Sequence, residues 1–132
     1  MFTFYINNSI TISSELLESD VSIIPDVKVH DIKNGYIWYT LPPFEINGES
    51  TIFNLCFFNK KLQSLNISIS NKEKYGGGWS EFSEAKESLR AKATEKLLYG
   101  LGYRTGKFPW GEIWCGYDAK SGLGHAVVRY AL

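Results

Sequence analysis

Histidine, cysteine and methionine are scarce in this 132-residue chain, which holds two, two and one of them. His30 and His125 have no Cys or carboxylate pattern at ligand spacing around them, so we predict no metal site. Cys56 and Cys115 fall inside strand-like runs and not in a spaced framework. We therefore expect two buried free thiols in a reducing compartment, with no disulfide.

Long apolar runs and an excess of one charge are also missing. No stretch approaches the ~20 apolar residues that span a bilayer, and the N-terminus lacks the basic start and apolar core of a secretory signal. These absences predict a cytoplasmic protein without a membrane partner. The formal net charge is zero, which predicts no general attraction to nucleic acid or anionic lipid.

The charges that are present are unevenly placed along the chain. Residues 1–50 hold seven acids and two lysines, for a net charge of −5, whereas residues 51–132 carry +5. Five of the acids in the N-terminal region come close together: Glu15, Glu18, Asp20, Asp26 and Asp31. This distribution predicts a polarised molecule.

Aromatic residues make up 15% of the chain, which favours a sheet-dominated core. Asn34–Gly35 predicts a tight turn between two strands, since both central positions of such a turn favour positive φ. The runs STIFNLCFFN and LQSLNISIS predict a second hairpin around Asn59, and GEIWCGYDAKSGLGHAVVRY predicts a third. In residues 64–70 apolar and polar side chains alternate, which predicts a strand with one buried face and one solvent-exposed face.

One long helix is predicted over residues 80–100, with Ser80 as N-cap and Gly100 as the left-handed residue that ends it. Its predicted apolar stripe consists of Phe82, Ala85, Leu89, Ala93 and Leu97. A shorter helical turn is predicted in SSELLES, capped by Ser13 or Ser14. The fold class is α+β, an antiparallel sheet of hairpins with one long helix packed on it, as a single domain over residues 1–132.

The stretch NKEKYGGGWSEFSEAKE places Gly76, Gly77 and Gly78 between a strand and a helix, as in a phosphate-binding loop. No Gly-Lys-Ser/Thr follows the glycines, and the helix opens with Glu81 and Glu84, whose carboxylates would repel a phosphate. We therefore interpret the stretch as a connector and predict no nucleotide or other cofactor.

Two kinds of active surface remain as alternatives. His125 and Arg129 are four residues apart in a predicted strand, hence on one face, and with Lys107 they could form a small nuclease or hydrolase site. Alternatively, stacking rings beside basic groups could bind single-stranded nucleic acid. The candidate residues for that role are Trp114, Tyr117, Phe108 and Trp110 beside Lys107 and Arg104.

Several short sequence motifs carry a family resemblance that covers most of residues 35–130. They are Trp79 with the helix after it, Trp110-Gly111-Glu112, the run YDAKSG at residues 117–122, Arg129-Tyr130, and the middle segment IFNLCFFNKKLQSLNISIS. In these motifs the chain resembles small bacterial proteins found beside polymorphic toxins, including those of contact-dependent growth inhibition.

The resemblance implies an immunity protein, which binds and neutralises the C-terminal domain of one cognate toxin. It brings no active-site motif with it, which suits a protein that is not an enzyme. Toxins that cut nucleic acid carry basic clefts, because they bind phosphate backbones. We therefore predict that the toxin contacts the acidic residues of the N-terminal region, namely Glu15, Glu18, Asp20, Asp26 and Asp31.

Overall fold

The computed structural model describes residues 2–75 and 82–131, which form ten strands and three helices. The strands are β1 (Phe4–Tyr5), β2 (Thr11–Ile12), β3 (Lys28–Lys33), β4 (Tyr36–Thr40), β5 (Phe44–Ile46), β6 (Glu49–Phe58), β7 (Lys61–Ile69), β8 (Gly106–Phe108), β9 (Gly111–Asp118) and β10 (Leu123–Tyr130). The helices are α1 (Glu18–Ser22), α2 (Lys72–Tyr75) and α3 (Glu84–Gly100).

Eight of the strands form one antiparallel sheet with the order β3-β4-β6-β7-β10-β9-β8, and β5 pairs with the other end of β6. The small β1–β2 pair and α3 cover one face of this sheet, which we call the inner face. The opposite side is the outer face. The predicted antiparallel sheet is confirmed, and strand residues greatly outnumber helical ones.

The predicted hairpins are confirmed where turn residues marked them. Asn34 and Gly35 have φ values of 58° and 88°, and they join β3 to β4. Asn59 and Lys60, at 48° and 71°, join β6 to β7. Both turns therefore have positive φ at their two central residues, as tight hairpin turns require.

The alternation in β7 also predicts burial correctly. Leu65, Ile67 and Ile69 on the inner face are almost fully buried, whereas Ser64 on the outer face is half-buried. The neighbouring strand β6 is central as predicted, between β4 and β7, and its inner side chains Phe53, Leu55 and Phe57 are fully buried. This pair of strands forms the middle of the core.

The N-terminal segment closes the core from the inner side. The ring of Phe4 stacks on Tyr103 with centroids 5.4 Å apart and meets Phe53 edge-on. The hydroxyl of Tyr103 donates a hydrogen bond of 2.6 Å to the backbone oxygen of Thr3. Residues a hundred positions apart are thus held together by one buried aromatic cluster.

Helix α3 is shorter than predicted and presents a different face to the sheet. It has 17 residues and begins after Ser83, whose hydroxyl accepts a hydrogen bond from the Lys86 amide. The predicted stripe is wrong at Ala85 and Leu89, which are exposed, and at Phe82, which precedes the helix. The buried positions are Glu87, Ala91, Thr94, Leu97 and Leu98.

The buried face of α3 contains an ion pair. The Glu87 carboxylate forms an ion pair with Arg90, whose Nε lies 3.0 Å away, and accepts a 3.0 Å hydrogen bond from the Gly124 amide in β10. Arg90 also donates 2.7 and 3.3 Å hydrogen bonds to the backbone oxygens of Ile69 and Tyr75. These polar contacts connect α3 to β7, β10 and α2 at once.

Two predicted helix ends are corrected. Gly100 is still helical, and the left-handed residue is Gly102 with φ 96°, two positions later. In the N-terminal region Ser13 caps no helix: the amide of Leu16 donates to the backbone oxygen of Ser13, which closes a turn, and α1 begins only at Glu18. Glu15, predicted in the helix, belongs to that turn.

The glycine-rich stretch, with Gly76 to Gly78, Trp79, the predicted cap Ser80 and Glu81, lies outside the described residues. In residues 2–75 and 82–131, no helix combines the length and the apolar character that crossing a membrane requires.

Candidate functional site

The five acids predicted to contact a toxin lie along one segment, from the turn before α1 to β3. Glu15, Asp20, Asp26 and Asp31 are exposed, and Glu18 is half-buried. Lys28 and Lys33 lie in the same segment, so residues 15–33 have a net charge of −3. The acids thus share one segment of the chain, but lysines interrupt them.

Two of these acids act on one buried side chain, Tyr39 of β4. Its hydroxyl donates a 2.7 Å hydrogen bond to Oε2 of Glu18. Burial, the hydrogen bond to Glu18 and the negative charges of Glu18 and Asp31 raise the pKa of Tyr39 to about 12. Glu18 therefore fixes α1 to the sheet, and its reversal would disturb the fold as well as the surface.

Apolar side chains are exposed in the same segment, a feature that the sequence analysis missed. Leu17, Ile23 and Val29 are 58%, 78% and 56% exposed, and Ile32 is exposed too. In the described part of the chain, four of ten exposed large apolar residues therefore fall within residues 17–32. Exposed apolar groups edged by charge are typical of a surface that meets another protein. We call residues 15–33 the acidic edge segment.

The outer face carries a second feature that single strands cannot reveal. The strand registers place seven side chains in one row across the whole sheet: His30, Trp38, Cys56, Ser64, Arg129, Glu112 and Lys107. A groove of about 410 Å³ follows the middle of this row, lined by Trp38, Ser64 and Arg129 among others. The cation of Arg129 is already paired with Glu112 at 3.1 Å, so the row offers little free charge.

The residues of the predicted nuclease site do not meet. His125 and Arg129 share the outer face as predicted, but four residues of strand separate them by about 13 Å. Lys107 lies level with Arg129 on the far side of Glu112, in β8, and is therefore two strands away from β10 as well as four residues along from His125. A general base cannot act together with groups at that distance, because proton transfer requires hydrogen-bond contact.

His125 instead belongs to the turn region between β9 and β10. It is only 4% exposed, and its Nε2 lies 3.9 Å from Oδ2 of Asp118, with no hydrogen-bond partner in the described part of the chain. The Ser121 hydroxyl donates a 3.1 Å hydrogen bond to the same Oδ2. Asp118 thus lies between the serine and the histidine, so the histidine does not activate the serine as a catalytic base would.

This environment predicts a pH dependence of stability. Burial lowers the pKa of His125, and the attraction of Asp118 only partly opposes that effect. The unfolded chain, in which a histidine has a pKa of about 6.5, therefore binds a proton more readily than the folded chain. The contribution of a neutral His125 is fully present above about pH 6.5 and declines as the pH falls below that value.

As the pH falls from about 6.5 to 5, the free energy of unfolding should decrease less in His125→Gln than in the wild type. Urea denaturation at several pH values measures this decrease. His30→Gln is the matched control, because His30 is exposed on β3. The quantity compared is the slope with pH and not the stability itself, since the substitution at a buried position also changes packing. Equal slopes for wild type and His125→Gln would contradict the assignment.

The predicted stacking surface is not assembled either. Trp110 is half-buried against the core and stacks on Phe108, with parallel rings 5.3 Å apart. Trp114 is exposed on the outer face, whereas Tyr117, an odd number of residues later, points to the inner face. Arg104 lies over the ring of Tyr99, 4.5 Å from its centroid. These rings therefore offer no common platform for successive bases.

His30 and His125 are four strand spacings apart, about 19 Å, so they cannot share a metal ion. Residues 2–75 and 82–131 bring no three His, Cys, Asp or Glu side chains together at metal-binding distance. Cys56 is buried and Cys115 half-buried, both are free, and burial raises the pKa of Cys115 to about 12. A thiol so rarely ionised at neutral pH is a poor nucleophile.

The acidic edge segment is thus the surface whose exposed groups suit a binding role. Comparison of the chain with protein-family models, with curated proteins and with solved structures found no match.

Proposed function

We propose that this chain is an immunity protein that binds the toxic C-terminal domain of a cognate bacterial toxin in the cytoplasm and blocks its action. The acidic edge segment carries the proposal, because it combines exposed Leu17, Ile23 and Val29 with exposed carboxylates of the same segment. An interface needs an apolar centre that excludes water and a polar rim that selects the partner. Binding alone accounts for neutralisation, and no cofactor takes part.

Charge supports a nuclease domain as the toxin. A domain that cleaves nucleic acid has a basic cleft for the phosphate backbone. Asp20, Asp26 and Asp31 present exposed carboxylates to such a cleft, and their attraction speeds the encounter. The family resemblance in residues 35–130 points to the same role.

The proposal is tested by calorimetric titration of the chain with the C-terminal domain of the protein encoded immediately upstream. We expect a one-to-one complex with nanomolar or tighter affinity, in the range of tight protein–protein complexes. Absence of heat together with absence of co-elution on size exclusion would overturn the proposal.

The role of the acids is tested by charge reversal at two exposed positions, Glu15→Lys with Asp20→Lys. Both side chains lie at the surface, so the fold should persist. We expect association with the upstream domain to slow about ten-fold at low salt and to depend less on salt, since steering acts on the association rate.

Glu45→Lys with Glu73→Lys is the matched control, because it reverses two exposed acids outside the acidic edge segment. The control should associate at the wild-type rate. If the variant of the acidic edge segment does so as well, another surface meets the toxin.

A further inference from the structure

Strand β3 is the longest open edge of the sheet. It has six residues, pairs only with β4 in the described part of the chain, and is exposed at every position. The opposite edge, β8, has only three residues, and so does β5. An open edge leaves alternate backbone N–H and C=O groups without a partner strand, ready to pair with an incoming strand.

Strand β3 has only some of the usual protections of an edge strand: Lys28 and Lys33 stand at its two ends, and Asp31 lies on the inner side. No proline interrupts residues 26–41. A bulge does break the register between Asp31 and Lys33, where the Lys33 amide bonds to the Asp31 carboxylate. The bulge disturbs only the turn end of the strand, so residues 28–31 stay regular and carry the exposed Val29 at their centre.

The two sides of this regular part differ in charge. Val29 and Asp31 lie on the inner side, because they pair with Tyr39 and Ile37, and Glu18 reaches the same Tyr39. Lys28 and His30 lie on the outer side, opposite Thr40 and Trp38. A strand paired with β3 therefore meets an acid and an apolar group on one side and bases on the other.

A second copy of this chain does not match that pattern. In an antiparallel pair of two β3 strands related by a two-fold axis, directly opposed residues lie on the same face of the sheet. The axis therefore passes midway between two copies of one residue, which face each other. Centring the pair on Asp31 sets two carboxylates against each other, and centring it on His30 or Val29 sets Asp31 against a valine. No register of the regular part gives Asp31 a basic partner, so self-pairing is disfavoured.

We infer that the toxin domain contributes an extended segment that pairs with the open edge of β3 and adds a strand to this sheet. The segment carries Lys or Arg opposite Asp31, an apolar residue opposite Val29, and an acidic or polar residue opposite Lys28. The inference rests on the proposed function, and it specifies how the acidic edge segment recognises its partner. The backbone hydrogen bonds supply affinity, and the alternating side chains supply selectivity.

Amide hydrogen exchange of the chain, free and mixed with the upstream C-terminal domain, tests the inference directly. Alternate amides of residues 28–31 point away from β4 and should exchange rapidly in the free chain. In the complex we expect their exchange to slow about 100-fold or more, as for amides paired within the sheet. The amides at the opposite edge, in Gly106–Phe108, are the internal control and should not change.

The outcomes separate the inference from the function. Binding that leaves the outward amides of β3 exchanging as before overturns the inference alone. No binding overturns both the inference and the proposed function. Slowing that appears in the free chain as its concentration rises indicates pairing of two copies and overturns the inference.

Proline substitution gives a second, independent readout. Consecutive amides of a strand point to opposite sides, so one of Val29→Pro and His30→Pro removes an amide that faces solvent and leaves the ladder to β4 intact. That variant should unfold cooperatively near the wild-type temperature, yet bind the upstream domain at least ten-fold more weakly than its control, Val29→Thr or His30→Thr. Equal affinity of the folded proline variant and its control overturns the inference.

Discussion

Gly124→Ala is expected to destabilise the protein by about 3 kcal/mol or more, because the added methyl group has no room. A Cβ atom at Gly124 would overlap the backbone oxygen of Glu87 and crowd the Ala91 amide. Helix α3 would have to move away from β10, which would also lengthen the hydrogen bond between the Gly124 amide and Glu87. Thermal unfolding should show the melting temperature lowered by roughly 10 °C.

Gly100→Ala is the matched control for this prediction. Nothing lies near the position of its Cβ atom, and the residue is helical. Alanine has the higher helix propensity by about 1 kcal/mol, so this variant should be as stable as the wild type or slightly more stable. A Gly124→Ala variant with the stability of Gly100→Ala would show that α3 does not pack on β10 as closely as described.

Arg90→Met is expected to cost about 3–5 kcal/mol, since it removes the partner of a buried carboxylate. Glu87 is only 5% exposed, and without Arg90 its carboxylate retains the Gly124 amide as its remaining donor among the bonds described above. The backbone oxygens of Ile69 and Tyr75 lose their guanidinium donor as well. Urea denaturation at neutral pH measures the loss.

The double variant Glu87→Gln with Arg90→Met separates the buried charge from packing. The amide oxygen of glutamine can still accept from Gly124, but no buried charge remains to be compensated. We expect the double variant to be more stable than Arg90→Met alone, with a coupling energy of about 0.5–3 kcal/mol. Strict additivity of the two substitutions would mean that Glu87 and Arg90 act separately.

The hairpins were predictable because local chemistry determines them. Asn34–Gly35 and Asn59–Lys60 adopt the positive φ values that tight turns need, and the alternation of β7 follows from the two faces of a strand. The prediction needed no knowledge of distant residues. The order of the strands could not be predicted in this way, since β10 pairs with β7 across more than fifty residues.

The helix was mispredicted for the opposite reason. Its apolar residues suggested a stripe through Leu89, but the buried face is set by Gly124 and by the ion pair with Arg90. A glutamate counts as polar in any periodicity pattern, so burial of Glu87 could not be recognised without its partners. Tertiary contacts decided which side of this helix is buried.

For the candidate site, the sequence located the acids but not their surroundings. Clustering in residues 15–31 was visible from charge alone, whereas the hydrogen bond between Glu18 and Tyr39 joins residues 21 positions apart. The exposure of Val29 depends on β3 being an edge strand, which only the sheet order reveals. Toxin binding itself stays a prediction.

The interior position of β10 has a consequence for synthesis on the ribosome. Because β10 lies between β7 and β9, the sheet stays in two pieces until residues 123–130 have left the ribosomal exit tunnel. Until then the edge of β7 that β10 will cover is open, and sheets built from such distant pairings form slowly. A nascent chain stalled before Leu123 should therefore engage chaperones that a completed and released chain no longer needs.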